Sequence, residues 1–136
     1  MVYAIKAEIA DALAKSFRFV AHKTMYGGKH IAPGDTVFLF ASETQGGNGL
    51  IARGIVSAAE PVAKMQGIER QTPRVSVTVE RSTLVRRHLG REDLKPFKDF
   101  GDGRPESELN FKFYRQSTNK IVRISDEAAV FLEGYF

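Results

Sequence analysis

Few side chains in this sequence are spaced for catalysis or metal binding. The chain contains three histidines, which are His22, His30 and His88. None of them stands at a metal-ligand spacing from a carboxylate. There is no cysteine and no Gly-x-Ser-x-Gly motif, so no activated nucleophile can be recognised. Glu43, Glu60 and Glu80 could each act as a general base, but no second group pairs with them. We therefore predict no catalytic residue, no metal and no cofactor.

A glycine-rich stretch, Gly46-Gly47-Asn48-Gly49, invites comparison with loops that hold phosphate. It lacks the Lys-Ser/Thr pair of a P-loop, and the pattern that follows it is that of a strand rather than a helix. A phosphate loop needs the N-terminus of a following helix, which this stretch does not offer. We interpret it as a connection between two strands.

Positive charge is concentrated in two segments that are far apart in the sequence. The chain has 20 basic and 16 acidic residues, a net charge of +4 and a pI near 9.5. Residues 12–34 and 111–124 together contain eight of the basic residues and none of the acidic ones. If the two segments meet in the fold, they form a surface suited to phosphate groups. The alternative is that both are ordinary solvated faces.

The composition is that of a globular protein, with 43% hydrophobic and 26% charged residues among 136. This length suffices for one domain with its own core, so we expect a single domain over residues 1–136. The absence of cysteine fits a reducing compartment. No basic region precedes a long apolar stretch, and no apolar run is long enough to cross a membrane. We expect a cytoplasmic protein.

The segment IAPGDTVFLFAS, residues 31–42, is the element around which the chain is organised. Pro33-Gly34-Asp35 predicts a tight turn, and Thr36 to Ala41 predicts a strand that is apolar on both faces. A strand returns over residues 50–57 after the glycine-rich connection. A turn, a buried strand and a returning strand indicate a small barrel, with the polar residues that follow Ala41 at its mouth.

The remaining strands are predicted from alternation of apolar and polar residues. Their predicted ranges are residues 2–7, 74–81, 109–114 and 121–124. In the strand 74–81, Val75, Val77 and Val79 point to one side. The returning strand is assigned residues 51–60 by the same pattern, with a bulge at Gly54.

Short helices are predicted at residues 8–15 and 84–89. A third begins after the N-cap Ser125 and ends near Gly134. Residues 17–30 are predicted to be a long loop in which one strand or turn can occur, and residues 100–107 are predicted to be a loop. The fold class is therefore α+β, mainly β, with about five or six strands and short helices.

Four segments, in order, resemble the EVE domain of the PUA-like superfamily, which is related to the PUA, ASCH and YTH domains. These segments are YAIKAE, IAPGDTVFLFAS, LIARGIV after the glycine-rich loop, and FYRQSTNKIVRISDEAAVFL. The first is similar to the family's opening strand and the second to its Gly-Asp turn and buried strand. The last is similar to its closing Arg-Gln-Ser, strand, cap and helix. Together they cover the start, the middle and the end of the chain.

The resemblance implies a mixed pseudo-barrel with helices at its ends and a pocket at the barrel mouth. That pocket accepts a nucleobase, often a modified one, of DNA or RNA, while basic residues hold the backbone. It also implies binding rather than catalysis. The family's Trp-containing stretch is absent, since the chain has no tryptophan. An aromatic cage would have to use other rings, which are Phe17, Phe19, Tyr26 or Tyr114.

Carried over residue by residue, the resemblance gives a hypothesis for the site. Ser42 and Gln116 bind the edge of a base, Phe19 or Tyr26 stacks on it, and Lys23 and Arg115 contact phosphate. The full set of predicted ligand-binding residues is Lys6, Phe19, Lys23, Thr24, Tyr26, Ser42, Glu43, Tyr114, Arg115, Gln116, Ser117 and Asn119.

Two other functions are open at this point. One is a barrel that binds a small anionic ligand or a peptide at a basic rim. The other is a small hydrolase of the ASCH type, for which Lys23, Thr24 and Glu43 would have to converge at the barrel mouth. The dependence of binding on salt separates nucleic-acid binding from both, because phosphate contacts weaken steeply as salt is added.

Overall fold

A computed structural model describes residues 1–43, 47–68, 70–116 and 118–136 of the chain. Ser117, one of the predicted ligand-binding residues, lies outside the described residues, as does part of the glycine-rich connection. Among the described residues, no helix is both long and apolar enough to span a bilayer.

Within these residues, six strands form a closed barrel in the order β1-β3-β4-β5-β2-β6. The strands are β1 Val2–Ala7, β2 Ser16–Met25, β3 Thr36–Ala41, β4 Gly49–Pro61, β5 Arg74–Leu84 and β6 Lys120–Arg123. β1 pairs in parallel with β3, and β2 pairs in parallel with β6, while the other pairs are antiparallel. The expected mixed, mainly β barrel is confirmed.

Short helical elements pack on the outside of the barrel. They are a 3₁₀ turn Gly28–His30, α1 Arg91–Leu94, α2 Pro105–Leu109, a π-helical turn Asn110–Tyr114 and α3 Asp126–Glu133. Because β3 lies between the barrel interior and these elements, both of its faces are apolar. Val37 and Leu39 belong to the interior cluster, whereas Phe38 and Phe40 belong to the cluster beneath the helices. The prediction that this strand is buried on both sides is confirmed.

The alternation in β5 is also confirmed, because Val75, Val77 and Val79 are all buried in the barrel interior. The predicted bulge at Gly54 is confirmed by a register shift between Arg53 and Gly54. A Cβ at Gly54 would lie 2.5 Å from the carbonyl oxygen of Glu80, so only glycine lets the two strands approach this closely.

The predicted helix at residues 8–15 is wrong, since this segment forms turns without a helix. Asp11 stops helix formation by binding its own neighbours: its carboxylate accepts from the Leu13 amide at 3.0 Å. Residues 17–30 do contain the one strand that the prediction allowed, but this strand, β2, runs as far as Met25, so the segment is mostly strand and not mostly loop. Ile9 and Ala14 of the first segment and Phe17 and Phe19 of the second pack in or against the barrel interior, whereas Leu13 and Val20 are exposed.

The predicted helix at residues 84–89 is wrong as well, because β5 continues to Leu84 and the Val85 amide donates to Ile51. The predicted strand at residues 109–114 is helical instead. Leu109 and Phe113 are fully buried four residues apart, which is the spacing of one helix face. The predicted loop at 100–107 ends early, because Pro105 begins α2 in the position that proline favours.

The N-cap predicted at Ser125 is confirmed, since its hydroxyl accepts from the Ala128 amide at 3.1 Å. Ser125 also donates from its amide to Glu108 at 2.8 Å, and its hydroxyl contacts the same carboxylate. Burial acts to raise the pKa of Glu108, but the hydrogen bonds from Ser125 and Lys112 prevail and lower it. The cap thus connects α3 to α2.

We expect Ser125→Ala to lower the free energy of unfolding by about 1–2 kcal/mol, because α3 loses its cap and Glu108 loses a donor. Urea denaturation followed by circular dichroism measures this change. Ser125→Thr keeps the hydroxyl and serves as the control, with a loss of less than about 1 kcal/mol. Equal losses for both variants would show that the hydroxyl does not cap the helix.

Candidate nucleic-acid interface

Two buried lysines lie side by side on the outer face of the barrel. Lys6 of β1 and Lys120 of β6 are register partners in an antiparallel pair, so their side chains point the same way. Only 2% of Lys6 and 1% of Lys120 are exposed. Lysine is rarely buried to this extent without a carboxylate partner. In the described part of the chain, neither ammonium forms a salt bridge.

The carbonyl groups at the end of the π-helical turn bind lysine side chains. The Lys6 ammonium donates to the carbonyl oxygen of Phe113 at 3.0 Å and lies 5.3 Å from the centre of the Tyr114 ring. Lys95 donates to the carbonyl oxygen of Tyr114 at 2.7 Å. These carbonyls end a helical segment and carry partial negative charge, so the two lysines have a structural role there.

Glu43 follows β3 and is held by two donors on one oxygen. The Tyr114 hydroxyl donates to Glu43 Oε1 at 3.1 Å, and the Arg91 amide donates to the same atom at 2.7 Å. No described residue binds Oε2. The carboxylate is therefore fixed in orientation, and both of these contacts are on one of its two oxygens. We call Lys6, Glu43, Arg91, Lys95, Tyr114 and Lys120 the lysine–tyrosine cluster.

The electrostatics of this cluster are strongly positive. Burial lowers the pKa of Lys6 to about 8, with Lys120 and Arg91 acting in the same direction and Glu43 opposing them. Burial also lowers the pKa of Lys120, helped by the ammonium of Lys23. Burial raises the pKa of Tyr114, and the neighbouring Glu43 carboxylate adds to this, so the phenol stays protonated as a hydrogen-bond donor. The cluster contains four cationic side chains and one carboxylate, Glu43, so an anion arriving here would meet net positive charge.

An open cleft borders the cluster. Its volume is about 720 Å³, and its lining residues are Arg91, Glu92, Lys95, Pro96 and Lys98. This volume is in the range of pockets that hold small molecules and cofactors. A second hollow of about 330 Å³ lies at the ends of β4 and β5 and includes Asn48, Arg86 and His88 in its lining. The first of these hollows is the one that adjoins predicted ligand-binding residues.

The structure brings together Lys6, Glu43 and Tyr114 of the predicted set. Ser42 stands next to Glu43, is 1% exposed, and donates its amide to the Ala7 carbonyl at 2.8 Å. Lys23 lies on β2 beside Lys120, close enough for their charges to interact. The strand pairing therefore extends the cluster from β1 across β6 to β2.

The other predicted residues lie elsewhere. Phe19 is 5% exposed in the barrel interior, where it stacks on Phe17. The Thr24 hydroxyl donates to the Pro73 carbonyl at 2.7 Å. Tyr26 and Arg115 both contact the ring of Phe111, away from Glu43. Gln116 is exposed and Asn119 is half-buried, on the segment between Tyr114 and β6.

Sequence reasoning missed three members of the cluster, Arg91, Lys95 and Lys120. Lys120 lay in a segment singled out for its positive charge, so its charge was noticed but its burial was not. Arg91 and Lys95 belong to α1, and no local signal indicates where that short helix packs. Metal binding receives no support from geometry, because the described residues contain no cluster of three or more potential metal ligands.

Comparisons with known proteins place the fold. No protein-family model and no curated protein matches the chain. Solved structures do. The DUF55 domain of human thymocyte nuclear protein 1 aligns with a TM-score of 0.68 at 15% identity, over 98% of this chain and 97% of that one.

Two further structures are similar over nearly their whole length. The human THYN1 protein in complex with 5-methylcytosine-containing DNA aligns with a TM-score of 0.63 at 13% identity, over 98% of this chain and 95% of that one. A Pseudomonas putida protein aligns with a TM-score of 0.61 at 16% identity, over 99% of both chains. At these identities the likeness shows the fold. The chain has the fold of a PUA-like pseudo-barrel. More narrowly, its fold is that of the DUF55 domain, which confirms the fold that the resemblance to the EVE domain implied.

Proposed function

We propose that this protein is a nucleic-acid-binding module that holds one nucleotide in the cleft beside the lysine–tyrosine cluster. The observation that carries the proposal is the burial of Lys6 and Lys120 side by side without a salt bridge to any described residue. Burying a charge is unfavourable unless it is paired. Two buried lysines without a carboxylate partner cost less free energy when a bound ligand supplies the negative charge that the protein does not provide.

Phosphate is the anion that fits best. Arg91 and Lys95 line the cleft, and both lie close enough to Lys6 for their charges to interact with it. The cleft therefore has cations in its lining and a further, buried cation next to that lining. Lys23 extends the positive charge across β6. Successive phosphates of one strand would neutralise these cations in turn, which a compact anion could not do. Gln116 and Asn119, on the connecting segment, would then lie within reach of the same strand.

Glu43 is the residue that would read the base. A carboxylate oxygen accepts from the exocyclic amino group of cytosine, and adenine offers a similar group. Tyr114 and the Arg91 amide hold Oε1, which leaves Oε2 for this contact. The base would be turned out of its stack to reach the cleft. A fold neighbour complexed with DNA that contains 5-methylcytosine supports a cytosine, modified or plain, as the base to test first.

The two other functions receive less support. A small anionic ligand would use the same cations, but it would leave the fixed carboxylate of Glu43 without a role. For a hydrolase, Thr24 would have to meet Glu43. Its hydroxyl instead donates to Pro73, and no contact joins the two side chains in the part of the chain that the structure describes. We therefore propose binding rather than catalysis.

We expect labelled single-stranded oligonucleotides to bind, and to bind roughly 50-fold more weakly at about 200 mM than at about 50 mM salt, as for about four phosphate contacts. In Glu43→Gln, the preference for oligo(dC) over oligo(dT) should fall about tenfold, because an amide presents a donor as well as an acceptor. Fluorescence anisotropy measures both effects.

Glu60→Gln is the matched control, since it removes the same charge from an exposed position near the end of β4. It should leave the preference unchanged. An unchanged preference in Glu43→Gln would remove Glu43 from the site. If the wild-type protein binds no oligonucleotide even at low salt, the proposed function is wrong.

A further inference from the structure

Three aromatic rings form an exposed cluster on the outside of the barrel. The ring centres of Tyr26 and Phe111 are 5.5 Å apart, and those of Phe100 and Phe111 are 5.2 Å apart. Tyr26 is 40% exposed and Phe100 is 44% exposed, with the half-buried Phe111 between them. We call these three residues the aromatic platform. Its exposure is unusual, because aromatic rings that serve only packing are mostly covered.

Positive side chains surround the aromatic platform. The Arg115 guanidinium lies 5.0 Å from the centre of the Phe111 ring, and the Lys112 ammonium lies 5.9 Å from that of Tyr26. A hollow of about 290 Å³ on one side is lined by Phe100, Gly103, Arg104, Glu108 and Phe111. A hollow of about 440 Å³ on the other side is lined by Tyr26, Lys112, Arg123, Ile124, Ser125 and Asp126.

One carboxylate beside the platform, Glu108, is already engaged, while Asp126 lines the hollow next to Tyr26. Glu108 accepts from Lys112 at 3.0 Å and from the Ser125 amide at 2.8 Å. Among the described residues, Arg115 and Arg123 form no salt bridge. Their positive charges are therefore available to an anionic partner.

The backbone at Tyr26 is strained. Its φ of 52° is left-handed, a conformation that a residue with a side chain adopts rarely. Gly27 follows with φ 84°, and a Cβ there would contact the Arg123 side chain at 3.5 Å. The Tyr26 ring leaves this turn and contacts the ring of Phe111.

The platform is distinct from the cleft that holds the proposed nucleotide. Tyr26 follows β2 at the end of the barrel where β1 begins, whereas Glu43 follows β3 at the end where β1 finishes. The π-helical turn joins the two surfaces, because it carries both Phe111 and Tyr114. Such turns occur often at functional sites.

We infer that the aromatic platform is a second binding surface, on which bases of a single-stranded nucleic acid stack as the strand continues beyond the nucleotide in the cleft. Exposed rings flanked by arginines bind single strands with little sequence preference, because every base has a face that can stack. Arg104, Arg115 and Arg123 would contact the phosphates between the stacked bases. This inference rests on the proposed function.

Two probes separate the surfaces: a labelled trinucleotide, which supplies the nucleotide in the cleft and one neighbour on either side, and a labelled single-stranded 12-mer that contains the same trinucleotide. We expect the double variant Tyr26→Ala, Phe100→Ala to bind the 12-mer about tenfold or more weakly at low salt, from the loss of base stacking. Its affinity for the trinucleotide should match that of the wild-type protein. Tyr135→Ala is the matched control, because Tyr135 packs on Phe131 and Arg87 in a similar way on another face.

The outcomes are distinguishable. Equal affinities of the double variant and the wild-type protein for the 12-mer would overturn the platform and leave the cleft standing. If Tyr135→Ala and the double variant lose equal affinity for the 12-mer, the platform is also overturned. The loss would then follow from removing any tyrosine that packs beside an arginine, and it would not be specific to the platform. Weakened binding of the trinucleotide as well would overturn the separation of the two surfaces. Failure of the wild-type protein to bind either probe would overturn the proposed function, and the platform with it.

Discussion

Gly28→Ala should lower the free energy of unfolding by about 2–3 kcal/mol, the range typical of a side chain forced into a packed site. Gly28 begins the 3₁₀ turn that packs against β6, and it is buried. A Cβ at this position would lie 2.1 Å from the carbonyl oxygen of Ile121 and 2.7 Å from its carbonyl carbon. Both are backbone atoms of a strand paired on two sides, so they cannot move away without breaking hydrogen bonds.

The same substitution at Gly101 is the control, because a Cβ there meets only the Asp99 carboxylate at an ordinary 3.7 Å. That variant should change the free energy of unfolding by less than about 0.5 kcal/mol. Chemical denaturation of both variants, followed by circular dichroism, gives the comparison. Similar values for the two would mean that the turn moves away from β6 at little cost and does not position it.

The strands were predictable from the sequence wherever the pattern of apolar residues fitted a strand and no other element. Thr36 to Ala41 is apolar throughout because it is covered on both sides, and β5 alternates because one of its faces is partly open. The segment 109–114 was wrongly predicted to be a strand, because its apolar residues fit both the two-residue period of a strand and the spacing of a helix. Leu109, Phe111 and Phe113 alternate as in a strand, yet Leu109 and Phe113 also lie one helical turn apart. Tertiary packing decided between the two periods, which local pattern cannot do.

The candidate site was predictable only in part. Lys6 came from the resemblance to the opening strand of the family, and Glu43 from its place among the polar residues after the predicted strand 36–41. Their proximity could not be predicted, because it follows from the parallel pairing of β1 with β3. Tyr26 was predicted at the same mouth but lies at the other end of the barrel, because β2 runs antiparallel to β1 and β3 and carries Tyr26 away from them. A sequence shows that a strand exists more readily than it shows the direction in which the strand enters a closed sheet.

Lys120→Met should make the protein more stable and make it bind nucleic acid more weakly. The lysine is 1% exposed, and burial together with the Lys23 charge lowers its pKa. Replacing a buried ion by an apolar side chain of similar length often stabilises a protein by about 1–4 kcal/mol, and we expect about 1–2 kcal/mol at pH 7. The same change removes a cation from the proposed phosphate-binding surface, so affinity for a 12-mer at low salt should fall about tenfold.

The pH dependence of stability follows from the direction of the pKa shift. A lysine whose pKa is lower in the folded than in the unfolded protein binds fewer protons in the folded state between those two values. The wild-type protein should therefore gain stability relative to Lys120→Met as the pH rises above the lowered pKa, and the advantage of the variant should shrink. Lys6, with a pKa of about 8 against 10.5 unfolded, does not cancel in the difference, because Lys120 helps to lower that pKa and its removal would raise it. This change acts in the same direction, since the wild-type protein then gains more stability from Lys6 than the variant does as the pH rises.

Urea denaturation at about pH 7 and about pH 9 measures this difference while tyrosines, whose unperturbed pKa is about 10, are still mostly protonated. The matched control is Lys64→Met, which removes the same charge from an exposed side chain and should change neither stability nor its pH dependence appreciably. If Lys120→Met is less stable than the wild-type protein and binds the 12-mer equally well, the lysine serves packing alone. In that case its burial is no sign of a ligand. If the variant is more stable and binds weakly, the protein retains an unfavourable buried charge because nucleic acid neutralises it.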